Sequence, residues 1–319
     1  MKVAVVGAGA LGSVYGVNLS RVADVTFVVR DLSRAPRVMH VERVTGPAHA
    51  HTLDAPRFAL DVPRDADVVL VAVRVDQLDD ALLAKLAREA AGDALVVILA
   101  PLLPHRWEHA HEKLGARLVA AMPGVVAYEP EVHDGAGPIR RGVRYWTPRA
   151  SPTFLDDRPH DDPGRARLLA LVDALRRVEI PAEPNARVRS LNPATTIAFF
   201  PMLTGIAAAG GSIDRMLADA PLMKLGLAAA KETRALARTL GELPPWASLF
   251  FNFMSPFTVR AGIKLGRARA PEVFTFLEKH FGQKLLDQNM AIFHEIERLA
   301  AERGVAIDHL RKLVARAHP

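Results

Sequence analysis

Short apolar runs alternate with helical patterns along the first half of the chain. Val3–Val6, Val25–Val29, Val68–Val73, Leu95–Leu99 and Leu118–Ala121 are almost continuously apolar. Runs of that kind suit strands buried on both faces of a parallel sheet. Residues 11–21 follow the first run with a helical pattern. Leu78–Ala91 repeats its apolar positions every 3.6 residues and predicts a crossover helix between the third and fourth runs. Residues 122–163 are rich in Gly, Pro, His and Asp, which predicts irregular loops and short edge strands. Arg165–Val178 reads as a further helix, and Val178–Pro181 as a last short strand.

The pattern changes after about Asn185. Segments near 189–209, 212–219, 221–241 and 271–303 carry helical periodicity. Pro271 suits the first turn of the last segment, and Gly304 follows its end. Val273, Phe276, Leu277, Phe281, Leu285, Ile292, Ile296 and Leu299 trace its apolar stripe, which reads as core. The expected organisation is an α/β domain with a parallel sheet over residues 1–185. An all-α domain for substrate binding or dimerisation is expected over residues 186–319.

Length agrees with two domains, since 319 residues exceed the usual size of one. Cysteine is absent, which excludes disulfides, thiolate catalysis and cysteine-held metal. The net charge of +6 is spread over scattered arginines mixed with acids. No basic stripe with interleaved aromatics appears, so no nucleic-acid partner is expected. The opening MKVAVVGAGALG reaches glycines at once and lacks the pattern of a secretory signal. No stretch approaches ~18 uninterrupted apolar residues. A cytoplasmic protein with no membrane partner is the expectation.

Gly7-Ala8-Gly9-Ala10-Leu11-Gly12 matches G-x-G-x-x-G. The motif follows a strand run and opens a helix, the context in which it binds a dinucleotide. Gly7 allows the tight turn, Gly9 lets the backbone approach a pyrophosphate, and Gly12 lets the helix pack on the strand. The helix N-terminus then faces the phosphates. The domain is thus of Rossmann type. At the end of the second run stands Val29-Arg30-Asp31. An NAD site usually places a carboxylate first there. The Arg30 guanidinium suits a 2′-phosphate in bidentate geometry, so NADP(H) is the expected cofactor. Asp31, one position on, reads as a turn or cap residue.

With these residues the chain resembles the ketopantoate reductase family (2-dehydropantoate 2-reductase, ApbA/PanE type). GAGALGSVYG is similar to the family's GxGAxGxxxG, and Arg30 falls where the family has its NADP-selecting arginine. Ala66–Leu78 is similar to its D-x-V-x-V-x-V-K-x-x-Q strand and turn, with Arg74 in place of the lysine. Val73 and Gln77 belong to that turn and join the expected cofactor site. Ala121–Val126 and Lys231-Glu232-Thr233 through Gly241 are also similar. The resemblance implies a Rossmann domain joined to a helical domain, an NADPH-dependent reduction, a small-molecule substrate in the cleft between the domains, and a homodimer.

The catalytic positions depart from that family. Leu99-Ala100-Pro101-Leu102-Leu103-Pro104-His105 stands where the resemblance implies Q-N-G-x-G-N. The family's Lys, with Asn four residues on, falls on Asn192 or Pro193 and then Thr196. No lysine occurs between Lys113 and Lys224. Reduction of a ketone leaves an alkoxide that needs a donor. Arg74, His105, Asn192 and Thr196 are the candidates, with Asn252 and Ser255 expected on substrate by rough position. His280 and Lys284, four apart with Asp287 near, form another charged face. His109 and His111 beside Glu108 and Glu112 resemble a metal cluster only in composition, since i and i+2 on a helix diverge. His51, His133 and His160 read as isolated loop residues. Trp246–Phe257 is the most apolar-aromatic segment, and reads as a core helix, a pocket wall or a dimer contact. The expected activity is reduction of a carbonyl or imine compound other than ketopantoate. The alternative is re-use of the fold without redox chemistry, as a cyclase, an isomerase or a non-catalytic protein. A dry pocket of Phe200, Phe250, Phe251 and Phe253 would favour that alternative.

Overall fold

The computed structural model describes residues 1–44, 49–129, 140–148, 151–269, 271–280 and 286–318. The chain divides into two compact units, Met1–Arg189 and Ser190–Pro319.

Among its described residues the first unit holds twelve strands and four α-helices. β1 (Lys2–Val6), α1 (Ala10–Leu19) and β2 (Asp24–Val28) open it, followed by a hairpin of β3 (Val38–Arg43) and β4 (His49–Asp54). β5 (Arg57–Ala59), β6 (Val68–Val71), α2 (Asp80–Glu89), β7 (Leu95–Ile98), α3 (Pro104–Leu114) and β8 (Leu118–Met122) come next. β9 (Val126–Tyr128), β10 (Arg140–Trp146), β11 (Thr153–Asp156), α4 (Arg165–Arg177) and β12 (Ala182–Asn185) complete it.

The large sheet has the order β12-β11-β8-β7-β6-β1-β2-β5. Its six strands from β5 to β8 are parallel. In chain order they run 3-2-1-4-5-6, the doubly wound arrangement whose order reverses between β1 and β6. Every residue of β6 and β7 is buried, as their unbroken apolar runs predict. The runs at 25–29, 68–73 and 95–99 end one or two residues early as strands, although Val29, Ala72 and Leu99 still donate to the neighbouring strands.

Three departures from the sequence reading have physical causes. First, a second sheet, β4-β3-β10-β9, joins the hairpin of β3 and β4, which the apolar pattern did not predict, to two strands in the stretch read as loops and short edge strands. Met39 and Val41 alternate with more exposed neighbours in β3, so that strand is half-buried rather than doubly buried. Second, Val178–Pro181 is a turn. Glu179 takes a φ of 60° after α4, and the strand begins only at Ala182. Third, His105 lies in the first turn of α3, with Pro104 at its start, and is not a loop residue. Residues 271–280 and 286–302 are helical, and residues 281–285 lie outside the described ones.

α1 sits between the two sheets and is buried from Gly12 to Leu19. Two close approaches make that possible. A Cβ on Gly12 would lie 1.9 Å from the Gly7 carbonyl oxygen, and one on Gly16 would lie 2.3 Å from the Phe27 ring. Two buried side chains of α1 find partners inside the protein. The Tyr15 hydroxyl shares a 2.6 Å hydrogen bond with Thr153 Oγ1, and burial pushes its phenol well above its usual range. Asn18 Nδ2 donates to the Val14 carbonyl at 2.8 Å.

The second unit is helical. α5 (Val188–Ala208) is followed by α6 (Ile213–Ala218), α7 (Ala220–Arg238), α8 (Pro245–Asn252) and α9 (Pro256–Arg269). α10 (Pro271–His280), α11 (Leu286–Glu302) and α12 (Asp308–Ala317) end the chain. α5 is long and apolar enough to cross a membrane by length and composition, which the sequence reading did not anticipate. Of its apolar window 61% is buried inside the protein, as in a core helix. α12 packs along α7 through Leu310, Leu313 and Val314. Its N-terminus has no cap of its own. Glu232 of α7 supplies one, accepting from the backbone N–H of His309 at 3.1 Å and of Leu310 at 3.0 Å, and bonding His309 Nδ1 at 2.6 Å. A carboxylate there satisfies two orphan donors and complements the helix dipole. Replacement Glu232→Ala is therefore expected to lower unfolding free energy by about 1–2 kcal/mol in urea denaturation. A loss of only a few tenths would show that apolar packing alone holds α12.

Candidate nucleotide and substrate sites

The glycine turn joins β1 to α1 at the C-terminal edge of the parallel strands. Gly7 has a φ of 94°, a conformation that L side chains rarely adopt. Its N–H donates to the Val28 carbonyl at 3.1 Å, which ties the turn to the end of β2. A Cβ at Gly7 would touch Val73 at 3.0 Å and the Ala72 carbonyl at 3.2 Å. A Cβ at Gly12 would reach Ala72 as well as Gly7. The turn is thus pressed against the residues that follow β6, where the strand order reverses. Gly9, by contrast, is exposed, and a Cβ there would meet nothing within 4 Å. It is the residue before α1, in extended conformation, and no side chain caps the helix. The first N–H groups of α1, those of Ala10 and Leu11 among them, have no partner within the helix itself. Ala8 contributes its carbonyl, which accepts from Ser13 Oγ at 3.2 Å.

That arrangement fits a pyrophosphate. It offers a free helix N-terminus and a backbone that a ligand can approach with no side chain in the way. Arg30 stands exposed two residues past β2 and makes no hydrogen bond or ion pair among the described residues. Asp31 caps the short turn at Leu32–Arg34. The Ser33 hydroxyl and N–H, at 2.7 and 2.9 Å, hold its carboxylate below the usual range. The acid of the pair is engaged, and the cation is available.

The other candidates of the first unit are less open. Arg74 forms a two-pronged ion pair with Asp76, at 3.0 and 2.7 Å. Its guanidinium, read from the sequence as a group to orient substrate, is neutralised within its own turn. Gln77 accepts from the Arg74 N–H at 3.4 Å and closes that turn. Val73 forms the wall against Gly7. His105 is half-buried in α3. His109 bonds Asp80, while His111 stacks on Trp107 at 4.8 Å, so the two do diverge. His51 is not isolated in a loop. It lies on β4 beside His49, two positions apart on one strand face. His160 is exposed in a turn, and His133 lies outside the described residues. Among the described residues no three His, Asp or Glu side chains are arranged to hold a metal.

In the second unit the structure brings Asn192 and Thr196 together. Both lie on α5, four apart, and Thr196 Oγ1 donates to Asn192 Oδ1 at 3.3 Å. Asn192 is buried and Thr196 half-buried. Asn252 ends α8 and is exposed, where its side chain accepts from the Arg234 guanidinium. Ser255 starts α9. Its Oγ accepts from the Thr258 N–H at 3.2 Å, and its N–H donates to Thr258 Oγ1 at 2.8 Å, so it serves as that helix's cap. Asp287 is exposed, while Lys284 and the side chain of His280 lie outside the described residues. Phe200 is buried and stacks on Phe293 at 6.5 Å, away from the other aromatics of the expected pocket. Phe251 is buried against Phe199 at 4.9 Å, and Phe250 and Phe253 are exposed. The four do not line one dry pocket. Sequence reasoning missed Ala72, whose small side chain admits Gly12. It also missed Arg234, one arginine among many.

Residues 3–112 match the family model of ketopantoate reductase PanE/ApbA. No curated protein matches the chain. Solved structures match it over nearly its whole length. The 2-dehydropantoate 2-reductase from Geobacter metallireducens GS-15 has a TM-score of 0.65 at 20% identity, covering 99% of each chain. A dimeric ketopantoate reductase from Staphylococcus aureus has a TM-score of 0.61 at 15% identity, covering 99% of this chain and 97% of the other. D-mandelate dehydrogenase in complex with NADH has a TM-score of 0.66 at 18% identity, covering 100% and 98%. The chain therefore has the fold of the ketopantoate reductases from end to end, and over residues 3–112 it carries the sequence pattern of the ketopantoate reductase PanE/ApbA family.

Proposed function

We propose that the chain is an NADPH-dependent oxidoreductase that reduces a small carbonyl or imine compound other than ketopantoate. One observation carries the reading. Gly7 and Gly12 are forced by contact, while Gly9 is forced by nothing inside the protein. A glycine with open space over it, at the start of a buried helix, is explained by something outside the chain. The family match over residues 3–112 and the nicotinamide-dependent neighbours support a dinucleotide as that partner.

Bound NADPH would supply a hydride to the substrate carbon. The chain's own tasks are distinct. Ala10 and Leu11 hold the pyrophosphate on the α1 dipole, with Gly9 giving access. Arg30 meets the 2′-phosphate with two N–H donors, and no carboxylate of the β2 end competes for it. Val73 and Gln77 shape the wall beside the turn. On the substrate side, the oxygen that gains negative charge needs a hydrogen-bond donor. Asn192 and Thr196 offer an amide and a hydroxyl from one face of α5. Neither is an acid at neutral pH, so they stabilise charge and the proton comes from water. The lack of any lysine between Lys113 and Lys224 is what separates this chain from ketopantoate reduction. The dimeric neighbour supports a homodimer, and the soluble-enzyme fold supports a cytoplasmic setting.

Calorimetric titration tests the cofactor assignment. Arg30→Ala is expected to weaken NADPH about 10–100-fold and to leave NADH nearly unchanged, the size of one charged bidentate contact. Equal losses for both nucleotides would remove the 2′-phosphate from Arg30. Two glycine variants separate ligand from fold. Gly9→Ala should keep the melting temperature and lose most nucleotide affinity, because its methyl enters open space. Gly12→Ala should lower the melting temperature as well, because its methyl meets the Gly7 carbonyl. Full affinity in Gly9→Ala would place the phosphates elsewhere.

A further inference from the structure

β4 alternates half-buried and exposed residues, with His49, His51 and Leu53 on its covered face. They stand opposite Arg43, Val41 and Met39 of β3, and Val41 and Met39 are buried. Opposite residues of an antiparallel pair share a face. Both histidines therefore point with that core, on the side where β3 and β4 meet α1. The two imidazoles touch. Their Nε2 atoms lie 2.5 Å apart, and the rings meet edge to face with centroids 4.2 Å apart. Two ring nitrogens that close hold one proton between them.

Which ring carries that proton follows from the neighbours. The guanidinium of Arg21, two residues past α1, lies 3.3 Å from His49 Nε2 and can only donate. His49 Nε2 is therefore the acceptor. Its own proton sits on Nδ1, the nitrogen 3.8 Å from Glu179 Oε2. His51 Nε2 then holds the proton between the rings. A further proton has no good place. On His49 Nε2 it would face two N–H donors. On His51 Nδ1 it would set an imidazolium beside Arg21 in a half-buried site. Burial first, and then the Arg21 charge, hold the His51 imidazole below its usual range. The other elements around the pair bring Arg43 and His40 from β3, Tyr145 from β10 and Glu179 from the turn after α4. Burial raises the Tyr145 phenol, so it stays neutral. Of these groups only Glu179 is acidic, and Arg43 already pairs with it at 3.1 Å.

We propose that the His49–His51 pair is an acid-sensitive latch, which holds the edge strand β4 against α1 at neutral pH and releases it in acid. Protonation sets His51, Arg21 and Arg43 as cations against one carboxylate. The charges separate by letting β4 go, since that strand is paired on one side only. The sign follows from linkage. The latched form resists a proton that the released form accepts. Holding is therefore intact above the range of free histidine and weakens as pH falls through it. The latch does not depend on the function proposed above.

The test is amide hydrogen exchange of the full-length protein at about pH 7.5 and about pH 5.5, on either side of free histidine, with rates corrected for their intrinsic pH dependence. The β4 amides are expected to lose about five- to tenfold of their protection in acid, the amount that one suppressed histidine gives over that interval. Amides of β6 and β7 should stay within about twofold. His51→Gln keeps an N–H for His49 but takes up no proton, and should hold β4 protection within about twofold as well. Glu179→Gln removes the carboxylate and should bring the loss on at a higher pH. NMR titration of the histidine rings needs no variant, and the His51 ring should titrate below free histidine. Unchanged β4 protection in the wild type, the same loss in His51→Gln, or a His51 ring that titrates at or above free histidine each overturns the proposal. If His51→Gln lacks a melting transition, the ring titration and Glu179→Gln decide.

Discussion

Burial of α1 on all sides is the constraint from which the first unit follows. Most helices of an α/β domain bury one stripe against a sheet and expose the rest. α1 is covered by the large sheet on one side and by β3, β9 and β10 on another. A helix in that position can tolerate few polar groups, and Ser13, Tyr15 and the Asn18 amide nitrogen each find a partner, while the buried Asn18 Oδ1 has none among the described residues. Tyr15 reaches Thr153, whose hydroxyl also accepts from the Gly124 N–H at 3.1 Å. One buried hydroxyl therefore links α1, β11 and the loop after β8. Gly12 and Gly16 then set the closest approach, one against the Gly7 turn and the other against Phe27. The glycine turn is fixed in place by the packing of the helix that follows it.

That constraint separates two duties that a glycine motif carries together. Gly7 and Gly12 serve packing, and any fold with this helix in this place needs them. Gly9 serves no contact in the protein. A functional reading of the motif rests on the middle glycine alone. The same logic applies to charge. Arg74 and Asp31 are both near the edge of the sheet, and both are consumed by local partners, Asp76 and Ser33. Arg30 has no such partner among the described residues.

Most of the large sheet was legible in the sequence, because a strand buried on both faces is apolar at every position, and β6 and β7 say so plainly. The glycine turn was legible because its spacing and context coincide. The second sheet was not. Its strands alternate buried and exposed positions over only six residues, as at Met39 and Val41, and its partners lie far apart in the chain. The helix α3 was hidden by its own composition, PHRWEHAHEKL, where histidines and charges mask two buried positions, Ala110 and Leu114. Ser255 shows a different limit. A serine before a proline reads equally as a ligand group or a cap, and only the Thr258 contacts distinguish them. Asn192 and Thr196 lie four apart on α5, and their mutual hydrogen bond follows from that spacing.

The second sheet also sets an order of assembly. β3 pairs with β10, Val38 opposite Arg140 and Arg43 opposite Tyr145, across about a hundred residues of chain. Until β10 has been made, the face of α1 that it covers stays open to water, and the hairpin of β3 and β4 has an unpaired edge. Such long-range pairing is slow, since the loop must close before any contact rewards it. On the ribosome, the N-terminal glycine turn is therefore synthesised first but acquires its final support late, after nearly half the chain has emerged.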